Sequence, residues 1–305
     1  MPVFASPAAL KASLESRLRL RAQATGRDLQ RLRQLVVYDR FLARVFAEGA
    51  ADVVLKGGLA LELRSERARA TKDVDLRLVG APDAALARLQ ACGRLDLGDF
   101  LHFEVRVDDR HPTIEADGLR YEGRRFRAQA MLAGQIYGWP FGVDVAFAEP
   151  LVAPPEALLG DPWLDFLGLP PTPVWAYPLT VHIAEKLHAY TLPRPRPNSR
   201  VKDLPDIALL AQTRGIDAAA LRGALEATFA HRATHPLPAA LPDPPDFWAA
   251  PYREVARADR LPWSSIEVLL LAVRGFLEPV LGAETGIWDP ADWRWRRAAP
   301  GASPP

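Results

Sequence analysis

Apolar positions recur at helical spacing near the start of the chain, switch to short alternating runs in its middle, and return to helical spacing after a proline-rich stretch. Ser6-Pro7 predicts an N-cap followed by proline in the first turn, and the Ala-, Leu-, Lys- and Arg-rich segment from 7 to 24 reads as a helix that Gly26 ends. Asp28 predicts the cap of a second helix reaching about Glu48, with Leu29, Leu32, Val36, Phe41 and Val45 as its stripe. A strand is expected at Val53-Val54-Leu55, then a turn at Gly57-Gly58 and a helix from Leu59 to Arg69. Asp73-Val74-Asp75-Leu76 alternates as a strand does, and Pro82-Asp83 opens a short helix through Gln90. Phe103 to Val107, Tyr121 to Ala128 and Gly142 to Phe147 predict hairpins that extend a mixed sheet.

Eight prolines between Pro150 and Pro178 predict a long extended connection and a lobe boundary. Beyond it the pattern is helical at Leu179 to Thr191, Asp203 to Gln212, Asp217 to Phe229 and Ser264 to Leu277, with a second proline-rich segment, Pro236 to Pro262, before the last. The predicted fold class is α/β in the broad α+β sense: a mixed-sheet domain with N-terminal helices over residues 1–155 and a helical C-terminal lobe over 156–305.

At 305 residues the chain is long enough for two lobes, and its formal net charge of +1 gives no global case for nucleic-acid binding. A basic surface must then be local. Nine Lys or Arg stand between Lys11 and Arg44 against Glu15, Asp28 and Asp39, and Trp293-Arg294-Trp295-Arg296-Arg297 interleaves cations with aromatics near the end. Cys92 is the sole cysteine, which excludes an intramolecular disulfide and a cysteine-based zinc cluster and fits a reducing compartment. No apolar stretch is long enough to span a membrane, and the first ten residues lack the pattern of a signal peptide. A cytoplasmic location is expected.

The candidate chemistry begins at Gly57-Gly58, where a strand is expected to turn into a helix and a glycine lets a triphosphate approach the amides at the helix's positive end. Fourteen residues later, Asp73 and Asp75 project from one face of a strand. Alternate strand residues lie roughly 7 Å apart, where two bare charges repel by roughly 2 kcal/mol at an effective dielectric near 20. A divalent cation, Mg²⁺ or Mn²⁺, turns that repulsion into attraction. A third carboxylate usually completes such a site, and Asp144, in an apolar strand, is the best candidate as metal ligand or base; a buried salt bridge is the alternative, and Glu104 a weaker substitute. Lys186 falls at the edge of an apolar helical stripe near His182, placed to reach a triphosphate, while Glu185 faces further out. Asp203 and Asp206 are explained locally as an N-cap and a first-turn acid, with Arg200 and Lys202 beside them and the stiff basic loop Pro193-Arg194-Pro195-Arg196-Pro197 before.

Four segments together resemble a known family. Leu55-Lys56-Gly57-Gly58-Leu59-Ala60-Leu61, Ala70-Thr71-Lys72-Asp73-Val74-Asp75-Leu76, Ala184-Glu185-Lys186-Leu187-His188-Ala189 and the run from Asn198 to Asp206 are similar, in order and spacing, to the motifs of the AbiEii/AbiGii-type nucleotidyltransferase toxins, which include the MenT group and belong to the DNA polymerase β-like superfamily. The resemblance covers roughly residues 30 to 232. It implies a nucleotidyltransferase domain with a helical C-terminal lobe, Mg²⁺ on Asp73 and Asp75, nucleotide phosphates on Lys186, an essential carboxylate at Asp203, and a cognate antitoxin. Many superfamily members carry Gly-Ser in the first motif, whereas this chain has Gly58, so the phosphate contact passes to backbone amides or Lys56.

The expected reaction is transfer of a nucleoside monophosphate from an NTP to an RNA 3′ end, most simply the tRNA acceptor end. Its phosphates would lie on Arg194, Arg196, Arg200 and Lys202, and on the N-terminal basic helices. Modification of a protein such as the antitoxin, and an inactive binding module that kept the fold, are the alternatives.

Overall fold

The computed structural model describes residues 4–47, 52–65, 70–114, 122–147, 151–194 and 200–297. The expected helix ends at Glu48 and Arg69, the strand start at Tyr121, and Arg196 lie outside them. Helix α1 (Pro7–Thr25) begins and ends on the residues that predicted it: Ser6 Oγ accepts from the Ala9 amide at 3.2 Å, and Gly26 closes the helix in the left-handed region, φ 67°. Helix α2 (Leu29–Ala47) starts where the Arg31 amide donates to Asp28 at 2.7 Å.

Far more of α2 than one stripe is buried, and its arginines go inward with it. Arg40 and Arg44 both donate to the fully buried Asp99, at 2.7 and 2.6 Å. Arg31 pairs with Glu62 and Arg33 with Glu15, while Arg17 and Arg21 lie over the rings of Phe166 and Trp163. The N-terminal basic run is therefore mostly spent on internal partners and does not form the open cationic face its composition suggests.

The sheet explains where the chemistry sits. Strand β1 (Val53–Lys56) runs into helix α3 (Gly57–Arg64), followed by β2 (Asp73–Leu78), α4 (Ala85–Arg94), β3 (His102–Val107), β4 (Gly123–Leu132), β5 (Gln135–Phe147), β6 (Glu156–Leu159) and β7 (Pro173–Ala176). Their order across the sheet is β3-β4-β5-β2-β1-β7-β6, parallel at β2–β5 and β1–β7 and antiparallel elsewhere.

Strand β5 is twice as long as its sequence pattern indicates, because Gly138 and Pro140 read as breakers. They are absorbed where the pairing jumps from Ala128↔Phe141 to Ala130↔Tyr137, an irregularity in which a proline need give no ladder hydrogen bond. Ala133 and Gly134, both at positive φ, turn the β4–β5 hairpin tightly. Strands β6 and β7 lie inside the proline-rich stretch and beyond residue 155, yet they complete this sheet.

The remaining elements are α5 (Leu179–Thr191), α6 (Asp203–Ala211), β8 (Ile216–Asp217), α7 (Ala218–Arg232), α8 (Ala249–Ala258), α9 (Ile266–Leu281), β9 (Ile287–Asp289) and β10 (Arg294–Arg296). Helix α8 forms within the segment whose prolines argued against one. Two hydrophobic cores result: one packs α1, α2 and the sheet around Phe41, Val74 and Phe141, and the other packs α5 to α9 around Leu187, Leu209 and Trp288. Trp293 and Trp295 belong to the second core. Their indole N–H groups donate to the carbonyls of Ala272 and Phe276, and Trp295 stacks on Phe276 at 5.8 Å, so they offer no platform for nucleic-acid bases. Among the described residues no helix is long and apolar enough to cross a membrane.

Candidate active site

The β1–α3 turn and β2 are built around one another. Gly57 sits at φ 66°, and a Cβ placed there would fall on the Asp75 carboxylate; a Cβ on Gly142 of β5 would fall on that of Asp73. Each aspartate thus lies over a glycine. Lys56 pairs in register with Asp75 across β1–β2, while Asp75 faces Asp144 and Asp73 faces Gly142 across β2–β5. Gly142 was missed from the sequence, although a glycine two residues before Asp144 in an otherwise apolar strand was its signal.

This crowding of carboxylates has an electrostatic consequence. Burial, and then the charge of Asp144, push the Asp75 carboxyl up to about 6, with Lys56 and Lys186 pulling the other way. Asp73 is raised by the same two causes in the same order. The Asp144 carboxylate is itself held in a two-pronged grip by Arg125, Nε and Nη2 at 2.7 and 2.6 Å, so the salt-bridge alternative describes its contacts. Glu104 is exposed on β3, where it accepts from Gln129.

Among the described residues no group of three or more His, Cys, Asp or Glu is disposed to hold a metal ion. Two adjacent carboxylates with raised pKa values nevertheless fit Mg²⁺, which favours hard oxygens and is usually bound through one or two carboxylates plus substrate phosphates and water. The donor set suits a cation that arrives with a nucleotide better than one held in a protein cage.

Helices α5 and α6 form the opposite wall. Lys186 Nζ reaches Asp203 Oδ1 at 3.1 Å and Asp206 Oδ2 at 2.8 Å. The local reading holds for Asp206, a first-turn acid, and needs correcting for Asp203. Lys202, not Asp203, occupies the cap position of α6, Asp203 is its first helical residue, and both carboxylates turn to Lys186 from buried positions. Glu185 does not face away either; it pairs with Arg232 of α7 at 2.6 Å. His182 and His188 are both buried.

Between the walls lies an open cavity of about 460 Å³, lined by Lys56, Gly57, Gly58, Asp73, Asp75 and Lys186 together with Arg194, Arg200, Lys202 and Asp203. Seven Lys or Arg side chains face four Asp or Glu around it, a balance suited to a polyanion. Asp144 is not part of this lining. Lys72, His182 and Arg232 are, and sequence reasoning had assigned none of them to the site. His182 was findable, one helical turn before Lys186 on the same face, whereas nothing in the sequence of α7 brings Arg232 here.

Three buried polar atoms without a hydrogen-bond partner, His182 Nε2, Arg194 Nε and Asp203 Oδ2, belong to residues lining this same cavity. Unsatisfied polar atoms are rare in folded proteins, and their clustering on one cavity marks a place for a polar ligand.

The sequence matches the family described as nucleotidyl transferase AbiEii toxin, type IV toxin–antitoxin system, over residues 40–270. No curated protein sequence matches. Among solved structures, the chain is similar to the nucleotidyltransferase toxin MenT4 from Mycobacterium tuberculosis H37Rv, at 21% identity and a TM-score of 0.48 over 68% of each chain. It is also similar to JHP933 from Helicobacter pylori, at 16% identity and a TM-score of 0.38, covering 63% of this chain and 70% of that one.

Proposed function

The chain belongs to the AbiEii nucleotidyl transferase toxin family, and from that premise we propose that it transfers a nucleoside monophosphate from an NTP, bound with Mg²⁺, to the 3′ hydroxyl of an RNA, the tRNA acceptor end foremost. The observation that carries this reading is the cavity itself: Asp73 and Asp75 over paired glycines on one wall, a set of cations on the other. An antitoxin is the partner that a toxin of this class implies.

In the proposed reaction the acceptor oxygen bonds to the α-phosphorus, the bond to the β-phosphate oxygen breaks, and pyrophosphate leaves. Asp73 and Asp75 would hold the cation. When bound, Mg²⁺ supplies charge neutralisation on the phosphates and lowers the pKa of the acceptor hydroxyl. Gly57 and Gly58 admit the triphosphate to the backbone amides, Lys56 stands beside Asp75, and Lys186 stabilises the charge that develops on the leaving group. Asp144 stands one strand from Asp75, and a ligand role for it requires Arg125 to release it. Arg194, Arg200 and Lys202, with Arg196 in the same segment, are the proposed contacts for the acceptor's phosphates, which position the strand without reading sequence.

Incubating the protein with each labelled NTP, total tRNA and total cell protein tests the acceptor. Label should enter the tRNA pool, and RNA binding should weaken steeply as salt rises. Label confined to protein would overturn the RNA assignment while leaving the transferase intact. A second test concerns the turn. Gly57→Ala should lose about 1–2 kcal/mol of stability to left-handed strain. It should also lose about 10²-fold in transfer because Asp75 is displaced. Urea melts and initial rates read the two effects separately, and a fully active Gly57→Ala protein would contradict the packing of Asp75 against this turn.

A further inference from the structure

The unpartnered nitrogen of His182 has a defined chemical character. Arg64, at the far end of α3, donates from Nε and Nη2 to Glu156 Oε1 at 3.1 and 2.7 Å and also to the Tyr177 carbonyl. Its Nη1 then faces His182 Nδ1 at 3.3 Å. Arginine has only donors, so Nδ1 must accept, and the proton of the neutral ring resides on Nε2. That N–H has no partner, although the ring is only 1% exposed. Burial, followed by the charges of Arg64 and Lys186, holds the pKa well below the usual histidine range, so the ring stays neutral.

We infer that His182 is a further nucleotide-binding residue, which donates from Nε2–H to a phosphate oxygen of the bound NTP in a tautomer fixed by Arg64. This rests on the nucleotide reading of the cavity. A phosphate oxygen only accepts, which complements an atom that only donates. His182 lies one helical turn before Lys186 and lines the same cavity, so its ring and the Lys186 ammonium belong to one wall. Three elements converge to set the ring: α3 through Arg64, β6 through Glu156, and α5 through His182 itself.

The test is equilibrium binding of each of the four NTPs with Mg²⁺, without acceptor, to the full chain carrying His182, His182→Phe or His182→Gln. Phenylalanine keeps the ring's shape and removes the donor, and binding should weaken by about 10- to 100-fold, the range for a hydrogen bond to a charged group. Glutamine places an amide N–H near the Nε2 position and should restore most of the affinity. The Phe variant also takes the Nδ1 acceptor from Arg64, so affinity and not melting temperature is the deciding readout, and a purely packing role predicts unchanged affinity. Parent-like affinity in the Phe variant overturns the inference alone. No binding of any NTP by the parent chain overturns the nucleotide reading and the inference with it. If the Phe variant fails to fold, ¹⁵N-histidine NMR of the parent decides: an Nε2–H resonance that shifts on adding NTP supports the inference, and one that stays unmoved overturns it.

Discussion

Replacing Asp75 with asparagine should abolish the proposed nucleotide transfer and, at neutral pH, make the free protein more stable. Loss of one carboxylate of the proposed cation pair removes several kcal/mol of transition-state stabilisation, so the rate should fall by at least about 10³-fold. The stability gain follows from the raised Asp75 carboxyl, at about 6, pushed up by burial and by Asp144. In the unfolded chain an aspartate titrates near about 3.9. Between these values the folded state binds more protons than the unfolded state, so the parent loses stability as pH rises through that window. Above it the ionised group is destabilising by on the order of 2 kcal/mol. The advantage of Asp75→Asn should therefore be full at pH 8 and absent at pH 4. Denaturant melts at both values measure it, and an equal difference at the two would refute the electrostatic account.

Lys186→Met should be damaging in the opposite sense, losing stability as well as activity. Lys186 is the cation between the buried Asp203 and the fully buried Asp206, and removing it takes an ion-pair partner from both carboxylates. Breaking a buried pair from one side typically destabilises by about 3–5 kcal/mol. Adding Asp206→Asn to Lys186→Met should return much of the stability without returning transfer, which separates the structural duty of Lys186 from the proposed phosphate duty. If Lys186→Met unfolds at the same denaturant concentration as the parent, the pairing is not a structural element.

What could be read from the chain was whatever short-range geometry encodes. Asp73 and Asp75 share a face because strands alternate, Gly57 stands where a strand turns into a helix because its φ beside Asp75 calls for glycine, and Lys186 sits near His182 because helices repeat every 3.6 residues. The failures have an equally physical origin. Asp203 looked like a cap because local patterns are blind to a lysine on another helix. The full length of β5 was hidden by Gly138 and Pro140, whose local preferences the irregularity in the β4–β5 pairing overrides. Helix α8, β6 and β7 lay in proline-rich sequence, where prolines mark element starts and bends as readily as coil. Arg232 enters the cavity only through the packing of α7 on α5. The family match over residues 40–270 agrees with the motif resemblance, which drew on spacing over a long stretch and so carried information that no single segment held.

The internal pairing of the N-terminal arginines also bears on how fast a substrate is found. A chain with a formal net charge of +1 has no long-range attraction for anions on average, and encounter rates follow the shape of the field. Because Arg31, Arg33, Arg40 and Arg44 are matched by carboxylates within the fold, they contribute little field at a distance. The seven cations around the cavity outnumber its four acids, which leaves an excess of positive charge there although Lys186 and Arg232 are themselves paired. For the proposed RNA acceptor, neutralising the arginines elsewhere would act as an aiming device, leaving the cavity mouth as the place to which a charged strand is drawn.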